Sequence, residues 1–122
     1  MFSYRFISSI EGEHINSDDY PLLSCKYMVE DRRVNVDVVF KLDPNSNLLE
    51  NMQFCHYHWE NFIIHMKVLD IEGKLVKNIC VTNARIVGYG ISELKQDKEG
   101  KMEAYARFQA ASECLTISSE GS

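Results

Sequence analysis

Apolar and polar side chains alternate along most of this chain. Residues 33–41, RVNVDVVFK, place Val34, Val36, Val38 and Phe40 on one side and Arg33, Asn35, Asp37 and Lys41 on the other. A period of two is what a strand with one buried face requires, because successive side chains point to opposite faces. Just upstream, LLSCKYMV sets Leu23, Cys25, Tyr27 and Val29 in one row, and the short link EDRR predicts an antiparallel hairpin. On that parity Cys25 faces the core as a small hydrophobe. Residues 62–70 alternate again, with Phe62, Ile64, Met66 and Val68 together. The turn DIEGK then leads into LVKNICVTNARIVGYGI, predicted to be a long strand pair, twisted or bulged where Gly88 and Gly90 weaken the ladder. Beyond the charged hairpin loop KQDKEGK, Ala104, Ala106, Phe108 and Ala110 share a face. Leu115 and Ile117 fall out of phase with them, which predicts a bulge near residues 111–113.

One stretch changes period. In LDPNSNLLENMQFCHYHW, Leu48, Met52, Cys55 and Trp59 recur at steps of four, three and four, one apolar stripe of a helix over about residues 46–58. Asn47 followed by Glu50 has the spacing of a capping box. The pattern therefore predicts a mainly antiparallel sheet system, closed or nearly so, carrying a single helix within one domain that spans residues 1–122.

The 122 residues can bury one real core, and 45% hydrophobic with 25% charged residues is ordinary globular composition. No apolar run approaches the roughly 20 residues of a membrane-spanning helix. The start MFSYRFISSIEGEH lacks the basic, apolar and small-residue regions of a signal peptide, so cytosolic synthesis is expected. Cys25, Cys55, Cys80 and Cys114 contain no CxxC pair and are expected to stay reduced. The net charge of −5 argues against nucleic acid as a partner. The acid is uneven: residues 1–60 hold ten acidic and five basic side chains, residues 61–122 eight of each.

The segment FCHYHWE, residues 54–60, holds Cys55, His56, His58 and Glu60, with His65 nearby. On a helix, His56 and His58 point about 200° apart and cannot share a metal ion. They could ligate one only if the helix ended by Cys55, with His65 reached across a turn, and zinc would still need three or four convergent donors. Histidines at a helix C-terminus interact favourably with the last carbonyls, and this reading of the segment is the simpler one. Adjacent Cys55 and His56 diverge too far to act as nucleophile and base. His14, in the polar stretch EGEHINSDD, is read as a solvated loop histidine. No phosphate-binding glycine loop or nucleophile elbow is present, so no catalytic residue, cofactor or metal site is assigned and no enzymatic activity is expected. Two other classes remain: a barrel that binds a small ligand, and a metal-binding protein using the His56/His58 region.

The order of these elements resembles a known family. Tyr20, Leu23, Cys25 and Tyr27 fit a Y-x-x-L-x-C-x-Y strand, followed by the alternating Val34, Val36 and Val38 and the short helix NLLENM at 47–52. Asp70, Lys74, the segment NARIVGY at 83–89 and Leu115–Ser118 complete the series. Together they resemble the haemolysin-coregulated proteins (Hcp or TssD), tube subunits of type VI secretion systems, in the branch found in Bacteroidetes. The resemblance covers about residues 4 to 119. It implies a compact β-barrel of two sheets with one flanking helix, six of which form a ring. Rings stack into the inner tube of a contractile machine and can carry effectors in the lumen, with sheath and spike proteins as further partners. It also implies export by that machine to the extracellular space or a target cell, without insertion into a membrane. The chain departs from the family in one place. A long Gly- and Pro-rich extension usually lies between the second and third strands, where this chain has only VEDRRVN. A divergent paralogue that forms rings and stacks weakly, or caps a tube or carries specific cargo, is therefore expected, with Glu30, Asp31, Arg32 and Arg33 as ring-to-ring contacts. His56 and His58 are expected at a contact between subunits.

Overall fold

A computed structural model describes residues 3–119. Seven strands and one helix run in the order β1 (Arg5–Glu11), β2 (Leu22–Glu30), β3 (Arg33–Leu42), α1 (Leu48–His58), β4 (Phe62–Leu69), β5 (Leu75–Gly90), β6 (Met102–Ala111) and β7 (Leu115–Ser119). Every pairing is antiparallel. The sixteen-residue β5 is shared between two sheets. Its first half pairs with β4 and β7, and β1 extends that sheet beyond β4. Its second half pairs with β6, which continues to β3 and β2. The result is one sheet curled into a half-barrel, with α1 packed on β5. β1 and β2 face each other across the open side without a ladder between them.

The interior follows the alternation in the sequence. Val34, Val36, Val38 and Phe40 of β3 are fully buried, as are Phe62 and Ile64 of β4 and Phe108 of β6. Phe62 and Phe108 meet edge to face at 5.1 Å, joining the two sheets. Ala104, Ala106 and Ala110 keep the rest of the inner face of β6 thin. Large buried side chains thus occupy the space between the sheets.

Several local expectations shift. The register slips between Leu22 and Ser24, so Leu22, not Leu23, joins Cys25 and Tyr27 against the core. Leu23 and Val29 are exposed. The helix spans Leu48–His58, and its N-cap Asn47 makes no side-chain bond because its backbone is not extended there. Ser46 supplies the bond instead, its Oγ accepting from the Leu48 N–H at 3.1 Å. Trp59 is not the last residue of the packed stripe. It is the left-handed C-cap (φ 56°) and is 65% exposed. The 75–90 segment is one strand, with Asn83 at φ 54° where it passes from one sheet to the other. The bulge expected near 111–113 is a 3₁₀ turn, Ser112–Cys114, that carries the chain from β6 in one sheet to β7 in the other.

The β2–β3 link is a two-residue turn with Asp31 at φ 53° and Arg32 at φ 62°. Positive φ at both central positions is the primed turn that matches strand twist, and it favours Asn-Gly. A left-handed conformation costs a side-chain-bearing residue roughly 1–2 kcal/mol, part of which glycine's greater unfolded freedom offsets. Arg32→Gly should therefore raise stability by about 0.5–1 kcal/mol, read as a higher urea midpoint at unchanged slope.

Candidate functional site

The loop after β1 and the exit of α1 meet at a cluster of three ionisable side chains, His14, Cys55 and Glu60. Gly12 lies so close to the Phe62 ring that a Cβ would sit 2.3 Å from Cε1, and Ile15 is fully buried. The loop is thus pinned to the core on both sides of His14. The Asn51 amide donates to the His14 carbonyl at 3.2 Å, and the Phe54 ring lies 4.5 Å from the imidazole. At the helix exit, the left-handed Trp59 reverses the chain, and the Glu60 N–H donates to the Cys55 carbonyl at 3.1 Å. That reversal returns the Glu60 carboxylate to the Cys55 thiol, which donates to Oε2 at 3.2 Å. The His14 N–H donates to the same oxygen at 3.3 Å, and His14 Nδ1 contacts Oε1. His14 is an exposed loop residue, as expected, but its ring is paired with Glu60 and not free. Its partner lies 46 residues away, so no local spacing could have announced it.

The electrostatics follow from these contacts. The hydrogen bond to Glu60 raises the His14 pKa above its ordinary value, against a smaller opposing effect of burial. Burial alone pushes the Glu60 carboxyl up, but the hydrogen bonds from His14 and Cys55 outweigh it and the net shift is downward. Burial, reinforced by the neighbouring carboxylate, pushes the Cys55 thiol up to about 12. The thiol is thus a neutral donor at physiological pH, the opposite of an activated nucleophile. The raised His14 adds stability that is complete below pH 6.5 and is lost as pH rises through its folded value. The lowered Glu60 adds stability that is present above pH 4.5 and is lost as pH falls through its folded value. Both are in full effect between about pH 4.5 and 6.5. In protein held free of divalent ions, NMR titration should find His14 above the ordinary histidine value, and Glu60→Gln should bring it back down. An unchanged His14 titration in the variant would contradict the pairing.

A second convergence lies on the other side of the helix exit. Arg32, Arg33, Trp59, Asn83, Arg85 and Gln109 line one shallow groove. The Arg85 guanidinium lies 5.3 Å from the centre of the Trp59 ring, within cation–π range. Arg33 donates to Gln109 and Arg85 to Asn61, each at 3.4 Å. Among the described residues none of these three arginines forms an ion pair, whereas Arg107 grips Asp37 through two bonds. Among the described residues, four non-glycine residues have positive φ: Asp31, Arg32, Trp59 and Asn83. Three of them line this groove. Backbone strain of this kind gathers at working surfaces more than elsewhere. The groove adjoins the Glu30–Arg33 turn singled out from the sequence.

A third surface lies along the open side. Phe6, Ser8 and Ile10 share the face of β1 that pairs beside Val68, Met66 and Ile64. Ile10 is 1% exposed and Phe6 is 75% exposed, although both have core-facing parity. Phe6, Ile7, Leu22 and Leu23 line the groove between β1 and β2, and further along β2 Val29 is exposed on the core-facing row and Met28 on the opposite face. The two histidines considered first do not converge. The His56 ring lies 5.6 Å from Tyr89, and His58 lies against Phe54 and Tyr57. His65 sits in β4 opposite Cys80.

No family model matches this sequence, and no curated protein matches it. Solved structures do share the fold. A chain in the cryo-EM structure of the anti-feeding prophage cap, a tube-terminating cap, is similar at TM-score 0.52 and 13% identity, over 97% of this chain and 90% of that one. A chain in the PVC sheath-tube complex of an extracellular contractile injection system, in its extended state, gives TM-score 0.55 and 12% identity, over 95% and 89%. A chain in the anti-feeding prophage baseplate, 6-fold symmetrised, gives 0.54 and 12%, over 96% and 94%.

Proposed function

We propose that this chain is a structural subunit of the inner tube of a contractile injection machine of the type VI secretion kind. Six copies close into a ring, rings stack, and effector proteins travel in the lumen. The work is mechanical and catalyses no reaction. The observation that carries the reading is a fold shared nearly end to end with chains from cap, sheath-tube and baseplate assemblies. The open side gives it a physical motive, because unpaired strand edges with exposed apolar side chains invite a neighbour.

In this reading the β1/β2 groove is the lateral contact within a ring. Glu30, Asp31, Arg32 and Arg33, with Arg85 and Trp59 beside them, make the ring-to-ring contact. The two-residue turn stands in for a long stacking extension, so stacking is weak and salt-sensitive. His56 and His58 lie at a subunit contact. The subunit is made in the cytosol, meets sheath, spike and effector proteins, and leaves through the machine. Native mass spectrometry and particle imaging of the purified protein test this. A sixfold ring is the expected result, and a monomer at high protein concentration overturns the proposal.

A further inference from the structure

We propose that His14, Cys55 and Glu60 form a binding site for one zinc-class divalent cation, held by Nδ1, Sγ and a carboxylate oxygen. The donor atoms come from two segments far apart in sequence, yet all lie within 4.8 Å of one another. Imidazole nitrogen, thiolate sulfur and carboxylate oxygen are the three donor types that zinc takes. With zinc–ligand bonds of about 2.0–2.3 Å, the edges of a tetrahedron run to about 3.3–3.7 Å. The Sγ–Oε2 separation of 3.2 Å is within a few tenths of that. Coordination therefore requires small side-chain adjustments, with no rearrangement of the backbone.

The charges also balance. Cys55 is fully buried, and a lone dication beside it would be costly. One thiolate and one carboxylate cancel the double charge, while the imidazole binds in its neutral form. As the metal–sulfur and metal–nitrogen bonds form, the thiol proton and the proton shared between Nδ1 and Oε1 leave to solvent, and the neutral ring carries its one proton on Nε2. The bonds given up are the thiol donation to Oε2 and the His14–Glu60 contact. Three protein donors leave a fourth position for water. The supports remain in place: Asn51 on the His14 carbonyl, Phe54 against its ring and the backbone reversal at Trp59. The same three groups without metal make a satisfied hydrogen-bonded clasp, and that is the outcome the experiment must separate.

The site does not depend on the assembly reading, since a monomer can carry it. The test uses the full chain, reduced, stripped with chelator, desalted and titrated with Co²⁺ as a spectroscopic stand-in for zinc. One Co²⁺ per chain is expected, with a thiolate-to-cobalt charge-transfer band that one equivalent of Zn²⁺ removes. Cys55→Ser should abolish the band. Glu60→Gln and His14→Asn should each weaken binding by about tenfold or more, equivalent to about 1.4 kcal/mol. Circular dichroism in chelator checks that each variant is folded, and the near-isosteric Glu60→Gln keeps the test open if Cys55→Ser unfolds. A double variant, His56→Asn with His58→Asn, should keep the band in full. Absence of the band in the unaltered protein overturns the proposal. So does a band that survives Cys55→Ser or binds as tightly in Glu60→Gln, or one that is lost with His56 and His58.

Discussion

Phe108→Ala should lower the unfolding free energy by about 3–5 kcal/mol, the cost of emptying a fully buried aromatic site. Phe108 is fully buried on β6, in register with Val36 of β3 and Ile86 of β5. Its ring stands edge to face with Phe62 of β4, at an interplanar angle of 75°. It therefore contributes to both sheets at once. Its inward neighbours on β6 are Ala106 and Ala110, too small to collapse into the space. A domain of this size has about 5–15 kcal/mol in total, so the variant should sit near the limit of folding. Urea unfolding of the two proteins measures the difference. A loss under about 1 kcal/mol would mean that the two sheets do not depend on this contact.

The second large effect concerns assembly. In the proposed ring, Phe6→Asp should weaken each lateral contact about 10- to 100-fold, because burying a phenylalanine at an interface contributes about 1.5–3 kcal/mol and each 1.4 kcal/mol is tenfold. Phe6 is mostly exposed on the core-facing row of β1, so the free subunit loses little when it is replaced. The sign of the stability change separates this from a folding defect. The melting temperature of the dissociated chain should hardly move while the ring population falls. Analytical ultracentrifugation across a dilution series reads the ring population directly, and a thermal melt at low concentration reads the melting temperature. A ring that persists undiminished in the variant would place the lateral contact elsewhere.

The strands were legible because a half-buried strand writes its burial into the sequence. Residues 33–41 predict β3 almost to the residue, and each apolar position in that row is buried. The same logic fails one strand earlier. The extra residue at Leu23 belongs to a register slip, which alternation cannot reveal because both Leu22 and Leu23 are apolar. Trp59 fits the helical stripe by spacing, but the helix stops at His58 and the chain reverses there. Spacing carries no information past a left-handed cap. The candidate cluster shows the sharper limit. Cys55 and Glu60 drew attention for their nearness to His56 and His58, whereas the partner that matters is His14. Its polar neighbours in sequence predict its exposure but not its pairing with Glu60. Its surroundings are set by Gly12 and Ile15, which pin the loop, and a tertiary contact of that kind leaves no period to read.

Two turns that look alike in sequence also behave alike. DIEGK and DKEGK each close on an aspartate whose Oδ1 accepts two backbone N–H groups at 2.8–2.9 Å, with a left-handed glycine before the lysine. In the second, Lys101 reaches Asp43 at 2.8 Å and Lys41 reaches Glu99 at 3.3 Å, tying loop 91–101 to the end of β3. These exposed pairs add little stability each.

The single strand shared by both sheets has a consequence for the order in which the protein can be built. With residues up to 90 available, β1, β4 and the first half of β5 can already pair, while the β2–β3 hairpin has no route to β5, since β6 lies between them. Residues 102–119 then complete both sheets, β6 as the missing interior strand of one and β7 as the edge of the other. During synthesis the second half of β5 must wait unpaired. That interval is when two nascent chains on one message could exchange strands.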